Sequence, residues 1–272
     1  MTTRISRDTQ LCMSLSGRPG NFGTRFQNYL YDALGLDYVY KAFSTTDLAG
    51  AIAGIRALGI RGCAVSMPFK EAVIPLLDGL EPSAKAIDSV NTIVNSDGVL
   101  RGYNTDYTAV ATLIADSGLS ADTPVALRGS GGMAKATACA LRDRGFTHGW
   151  VVARNAVAGQ RLARTAGWRW SEDMDGVAAG LLVNVTPIGM EGGSDADALA
   201  FTEEEIAAAR LVFDVVAIPV ETPLIRRARA LGKPVITGGE VIVLQAVEQF
   251  VLYTGVRPES ELVARAAAHA LG

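Results

Sequence analysis

Three short stretches carry residue types at spacings that could do chemistry. The first is Gly129-Ser-Gly131-Gly132-Met-Ala134, which follows the apolar run Pro124-Val-Ala-Leu-Arg128 and opens an Ala-rich segment that reaches Arg144 and stops at Gly145. Strand, glycine turn and helix in that order form a G-x-G-x-x-A loop. The glycines let the backbone come close to a pyrophosphate, which then rests on the free N–H groups of the helix start. A second apolar run, Gly149 to Ala153, follows at βαβ spacing and favours nucleotide binding over an ordinary tight turn. The other two stretches are Ser66-Met-Pro68-Phe69-Lys70 and Gly102-Tyr-Asn104-Thr105-Asp106. With Pro68 placed to begin a helix, Lys70 falls in its first turn, where acids are normally preferred to cations. By position alone Lys70 could be a solvated surface lysine, and Asp106 could be a helix N-cap.

These groups need elements to position them. Thr9–Ser16, Tyr38–Phe43 and Arg61–Met67 read as strands, and Thr24–Leu34 reads as a helix ending at Gly35. Thr45-Thr46-Asp47 caps a helix to Leu58, and Val90–Asn95 with Val99–Tyr103 reads as a hairpin across Ser96-Asp97-Gly98. A helix from Tyr107 to Ser117 leads to the glycine-loop strand. Further apolar strands follow at Leu181–Val185, Leu211–Val216 and Pro234–Thr237, as a parallel interior requires, and the pattern turns helical from Glu240 to Tyr253 and from Pro258 to Leu271. The expected fold is two-domain α/β. An N-terminal substrate-binding catalytic domain, residues 1–106, is completed by helices in 240–272. A Rossmann-type doubly wound parallel-sheet domain spans residues 107–239.

Composition narrows the chemistry. The 272 residues are 49% hydrophobic with a net charge of −3, so no basic excess attracts nucleic acid. No apolar run is long enough to cross a bilayer and no signal peptide is read at the start, so a soluble cytoplasmic protein is expected. Three scattered cysteines, Cys12, Cys63 and Cys139, read as small buried thiols. With only His148 and His269 present, the sequence argues against a histidine triad or His-rich metal site, and no metal is expected. No lysine follows a tyrosine by four residues, which removes the Tyr-x-x-x-Lys arrangement. Acid–base work falls to Lys, Asp, Glu or Tyr.

Taken together, these segments resemble the shikimate dehydrogenase family. Its N-V-T-x-P-F-K motif reads Ala64-Val-Ser66-Met-Pro68-Phe69-Lys70. Its V-N-T reads Val90-Asn91-Thr92 and its N-T-D reads Asn104-Thr105-Asp106. The glycine loop is Gly129-Ser-Gly131-Gly132, N-A-T-P-x-G-M reads Asn184-Val-Thr186-Pro187-Ile-Gly189-Met190, and the late-helix glutamine matches Gln245. The matches run in order through most of the chain. The resemblance implies an NAD(P)-dependent oxidoreductase that reversibly converts shikimate, or a related cyclic hydroxy acid, to its 3-keto form, a step of aromatic amino acid biosynthesis. Lys70 and Asp106 would be the catalytic pair, and Ser66, Asn91, Gln245 and Asn21 would contact substrate. Gly129, Ser130, Gly131, Gly132, Met133, Arg154, Asn155, Thr186, Val215 and Gly238 would contact the cofactor. Partners would be limited to the small-molecule substrate and the nucleotide, with a monomer or homodimer expected.

The departures from the family pattern matter as much. Ser14 and Ser16 precede Gly17-Arg-Pro19, whereas the family's G-x-P precedes the serines that grip the substrate carboxylate. On that alignment the serine positions fall near Asn21 and Gly23, and the anchor is rebuilt around Asn21, Thr24 or Arg18. The family tyrosine that supports the same carboxylate is Ala217. The N-R-T-x-x-R clamp on the 2′-phosphate of NADP reads Ala153-Arg154-Asn155-Ala-Val-Ala158, so one cation is missing. Losing a charged contact of ~1.5–3 kcal/mol erodes NADP preference by about ten- to a hundredfold, which leans the loop slightly towards NAD. A quinate-type dehydrogenase and a nucleotide-binding sensor or partner protein with vestigial activity are the rival readings.

Overall fold

A computed structural model describes residues 5–271, which fall into two units. The first runs to Thr105 and resumes at Val243, and the second is the continuous stretch Asp106–Ile242.

In the first unit β1 (Gln10–Leu15) leads through α1 (Phe22–Leu34) to β2 (Tyr38–Phe43), and α2 (Leu48–Ala57) returns the chain to β3 (Gly62–Val65). Asp47 caps α2 by accepting from Gly50 N at 2.8 Å. Gly35 ends α1 in the left-handed region at φ 64°, a conformation that a Cβ disfavours. After a 3-10 turn at Ile74–Leu76 come β4 (Gly79–Leu80), α3 (Pro82–Lys85) and the hairpin β5 (Thr92–Ser96) and β6 (Val99–Tyr103). The hairpin closes through Asp97 and Gly98, both at positive φ, with Ser96 opposite Val99. The sheet order is β2-β1-β3-β5-β6-β4, parallel from β2 to β3 and antiparallel from β3 to β6. Alternation along β1 sends Cys12 to one core and Met13 and Leu15 to the other, so the sheet is buried on both faces.

The second unit opens with α4 (Thr105–Asp116), whose first residue still belongs to the first unit. It continues through β7 (Val125–Arg128), α5 (Gly132–Asp143), β8 (Gly149–Val152), α6 (Ala156–Ala166), β9 (Arg169–Ser171), β10 (Leu181–Asn184), α7 (Glu203–Ala208), β11 (Leu211–Asp214), α8 (Pro223–Ala230) and β12 (Val235–Ile236). All six strands are parallel in the order β12-β11-β10-β7-β8-β9. The chain therefore winds outward in both directions from the β7/β10 pair, and the crevice beyond that switch point is where doubly wound sheets bind ligands.

The chain ends in α9 (Gly238–Thr254) and α10 (Ser260–Leu271). Phe250, Tyr253, Leu262 and Ala266 share a core with Phe26, Leu30 and Tyr31 of α1. Gln27, fully buried, donates to the Ala246 carbonyl at 3.0 Å. Gly62 has to be glycine, because a Cβ there would fall inside the Tyr253 ring. The three cysteines are buried and form no disulfide among the described residues, and burial pushes the Cys12 thiol up to about 12, which makes it inert at neutral pH. Among the described residues no helix is long and apolar enough to cross a membrane.

Candidate active site

In the second unit a cavity of about 960 Å³ opens at the carboxyl ends of β7, β8, β9 and β10. Gly129, Ser130, Gly131, Arg154, Asn155 and Thr186 line it, which gathers six of the residues expected at the cofactor. Gly129 adopts φ +123°, and a Cβ there would meet Val185 Cγ2 at 2.9 Å, so the loop and the 185–186 turn approach closely only because it is glycine. Gly131 and Gly132 have open space where a Cβ would stand. That space, with the free N–H groups at the start of α5, is a cradle suited to the pyrophosphate of a dinucleotide. Asn155 is committed to capping α6, its Oδ1 accepting from Ala158 N at 3.1 Å.

Gly132, Met133, Val215 and Gly238 do not line this cavity. Gly238 has a packing reason of its own, because a Cβ there would overlap the Val216 carbonyl. The two loops behind the cavity are tied down by Asp214, which the sequence does not single out. Its carboxylate, fully buried, accepts from Asn184 Nδ2 at 3.0 Å, Val216 N at 3.1 Å and Thr222 Oγ1 at 2.7 Å. Burial raises its pKa, and the three donors pull the other way.

Arg128, the last residue of β7, also lines the cavity. Its guanidinium lies 5.3 Å from the centre of the Phe201 ring, and its buried Nε has no hydrogen-bond partner. Partial burial pulls its pKa below the ordinary arginine value; Glu205 and Asp173 pull it up, and the Arg154 charge pulls it down.

In the first unit the polar residues close on one another. Asn91 is 2% exposed. Its Oδ1 accepts from Thr105 N at 2.8 Å and from Thr92 Oγ1 at 2.8 Å. Its Nδ2 donates to Thr105 Oγ1 at 3.0 Å and Gln245 Oε1 at 3.3 Å. Gln249, one helical turn beyond Gln245, donates to Thr92 Oγ1 at 3.1 Å. The expected substrate residues Asn91 and Gln245 thus stand together, and the Asn91 contact to Thr105 N fixes the chain where α4 begins. Asp106 follows in the first turn of α4 and is 8% exposed.

Lys70 requires a correction. No helix starts at Pro68; residues 67–73 form turns, and Met67–Pro68 is a cis peptide. The segment is tied to the sheet instead, because Val90 N donates to the Lys70 carbonyl at 2.8 Å and Gly17 N to the Met67 carbonyl at 3.0 Å. Those bonds hold the segment against the sheet in a turn conformation. Lys70 is half-buried, and Ser66, just past β3, is exposed with its N–H on the Leu15 carbonyl at 2.9 Å. Asn21 precedes α1 at the N-cap, exposed, with no side-chain cap bond. Ser14 lies within β1, and Ser16, just beyond it, has a buried hydroxyl with no partner.

The arrangement recurs in known proteins. Over 266 residues the chain is 58% identical to the shikimate dehydrogenase-like protein of Haemophilus influenzae, covering 98% of each sequence. The chain belongs to the shikimate dehydrogenase family. The profile of the shikimate dehydrogenase substrate binding domain matches residues 22–93. A shikimate dehydrogenase (NADP(+)) of Chlorobium chlorochromatii is 35% identical, covering 89% of this chain and 90% of the relative. A solved shikimate 5-dehydrogenase-like protein superposes with a TM-score of 0.97 at 57% identity, covering 99% of this chain and all of that one. Shikimate 5-dehydrogenase from Thermus thermophilus, solved in complex with NADP(H) and shikimate, superposes at 0.85 with 30% identity, covering 96% of this chain and 100% of that one. The two-unit α/β architecture with a Rossmann-type sheet is the family's.

Proposed function

We propose that this protein is an NAD(P)-dependent oxidoreductase that reversibly oxidises shikimate, or a closely related cyclic hydroxy acid, to its 3-keto form. The observation that carries the reading is the Asn91–Thr105–Gln245 cluster, built from three of the family's motifs and bonded to the start of the helix that carries Asp106. The nicotinamide supplies the hydride chemistry when bound, and the Gly129–Gly132 loop, Arg154 and Thr186 hold its nucleotide. Lys70 is the proton-transfer group, taking the hydroxyl proton as the carbon loses hydride and returning it in the reverse reaction. Asp106 supports the charge on Lys70. Ser66, Asn91 and Gln245 hold substrate hydroxyls, and Asn21 stands where a carboxylate anchor is needed. The domain assignment follows the same division: residues 1–106 with 240–272 for substrate, residues 107–239 for nucleotide.

Ala64 and Ala217 stand where the family carries Asn and Tyr. They favour a second reading, a nucleotide-binding protein whose reaction has weakened. Intact Lys70 and Asp106 favour catalysis. A panel of cyclic hydroxy acids, shikimate and quinate included, run against NAD and NADP with absorbance at the reduced-nicotinamide band, tests the proposal. Turnover of shikimate or a near analogue is expected, and no turnover of any member would refute it.

A further inference from the structure

The nucleotide cavity holds a cation that the family motifs do not account for. Arg128 ends the central strand β7, paired in register with Val152 on one side and Asn184 on the other. The end of an interior parallel strand normally carries an apolar side chain, and the three residues before Arg128 are fully buried and apolar. An arginine there pays desolvation, so something must use its charge. Among the described residues no carboxylate pairs with it. Glu205, whose charge reaches it, accepts from Thr202 N at 2.7 Å in the capping box of α7, and Asp173 accepts from Asp175 N at 3.0 Å. The Phe201 ring lies against the guanidinium at cation–π distance. Arg154 lines the same cavity, its charge reaches Arg128, and it makes no ion pair of its own among the described residues. Two guanidinium groups lining one cavity without a carboxylate partner among the described residues fit a ligand group bearing two negative charges, which arginine grips through its planar fork.

The acids on the wall do not reverse this. Glu172 and Asp195 are both exposed. Glu172 follows β9, whereas an acid that selects the ribose hydroxyls of NAD sits at the end of the second strand, here β8, where Ala153 stands.

We infer that Arg128 is a specificity-determining residue of this pocket, and that with Arg154 it binds the phosphomonoester on the adenosine ribose of NADP. It supplies from inside the sheet the charge that Ala158 has lost from the loop. The inference rests on the nucleotide assignment made above, and it reverses the lean towards NAD that the loop alone suggests.

The test uses the intact protein and titration calorimetry with four ligands: NADP, NAD, adenosine 2′,5′-bisphosphate and 5′-AMP. The parent is expected to bind each 2′-phosphorylated ligand at least tenfold more tightly than its counterpart. Arg128→Met, which keeps volume and removes charge, is expected to weaken NADP and the bisphosphate at least tenfold while NAD and 5′-AMP stay within threefold. Equal loss across all four ligands would assign Arg128 to the shared 5′-phosphate and overturn the inference, and so would no loss at all. If Arg128→Met does not fold, Arg128→Gln and the parent ratios decide in its place. A parent that binds all four ligands with ratios near one overturns only the role of Arg128. A parent that binds none of them overturns the nucleotide reading, and this role with it.

Discussion

The two regions that carry chemistry are built in opposite ways. Around Asn91 the polar side chains bond to one another, so Asn91, Thr92, Thr105, Gln245 and Gln249 form one connected network. Around the glycine loop the groups are left open: two glycines face empty space, and two guanidinium groups have no carboxylate partner among the described residues. Satisfied buried networks fix geometry and contribute stability. Unsatisfied ones sacrifice stability and keep free energy available for a ligand. A residue's effect on folding and its effect on binding should therefore separate by region.

The largest effect expected is on turnover. Lys70→Ala should lower kcat by ~10²–10⁴ with nucleotide affinity unchanged, and steady-state kinetics within threefold of the parent would remove Lys70 from the chemistry. Asp106→Asn should lower kcat by a smaller factor. If it acts through Lys70, the double variant will be barely slower than the Lys70 variant, whereas multiplicative losses would make the two independent.

Stability is the sharper comparison. Asn91→Ala strips partners from Thr105 N and Thr92 Oγ1 inside the protein, and chemical denaturation should show a loss of about 1–3 kcal/mol. Arg154→Ala removes an exposed, unpaired charge and should leave the midpoint within about 0.5 kcal/mol while weakening NADP. Equal destabilisation by both would erase the contrast. Ala158→Arg should shift preference further towards NADP by about tenfold, the worth of ~1.4 kcal/mol, as read by the ratio of the two dissociation constants.

The smallest effect concerns pH. Burial raises the Asp214 pKa above its unfolded value, so the folded state holds that proton more tightly. Its contribution is therefore favourable below the unfolded pKa of ~3.9 and is lost as pH rises through the folded value. Melting temperatures of the parent and Asp214→Asn, followed upward from pH 4, should show the parent losing ground relative to the variant. Parallel curves would mean that the hydrogen bonds to Asp214 cancel its burial.

Much of this is legible in the sequence because local signals agree with the global pattern. Asp47 and Gly35 bound their helices, Asp97-Gly98 turns the hairpin, and Gly129 marks the strand-to-helix corner. The Lys70 segment misleads because Pro68 suits a helix start as well as a turn, and bonds from residues distant in sequence, Val90 N to the Lys70 carbonyl and Gly17 N to the Met67 carbonyl, decide between them. Short β9 and α7 carry too few residues for a period to show. Arg128 reads as the ordinary last residue of a strand until the cavity beyond it is seen, and Asp214 sits in an apolar run whose one charge is explained only by donors from Asn184, Val216 and Thr222.

The interruption of the first unit between Thr105 and Val243 has a consequence for synthesis. Residues 106–242 are continuous and can close their own sheet as they leave the ribosome. The first unit has all six of its strands within residues 10–103, but the core on one face of that sheet needs Phe250, Tyr253 and Ala266 against Phe26 and Tyr31. Although translated first, it finishes last. Until then the faces of α1 and β1 that await α9 and α10 stay uncovered, and a chain stalled before residue 243 would present its hydrophobic surface to chaperones from the end that was made earliest.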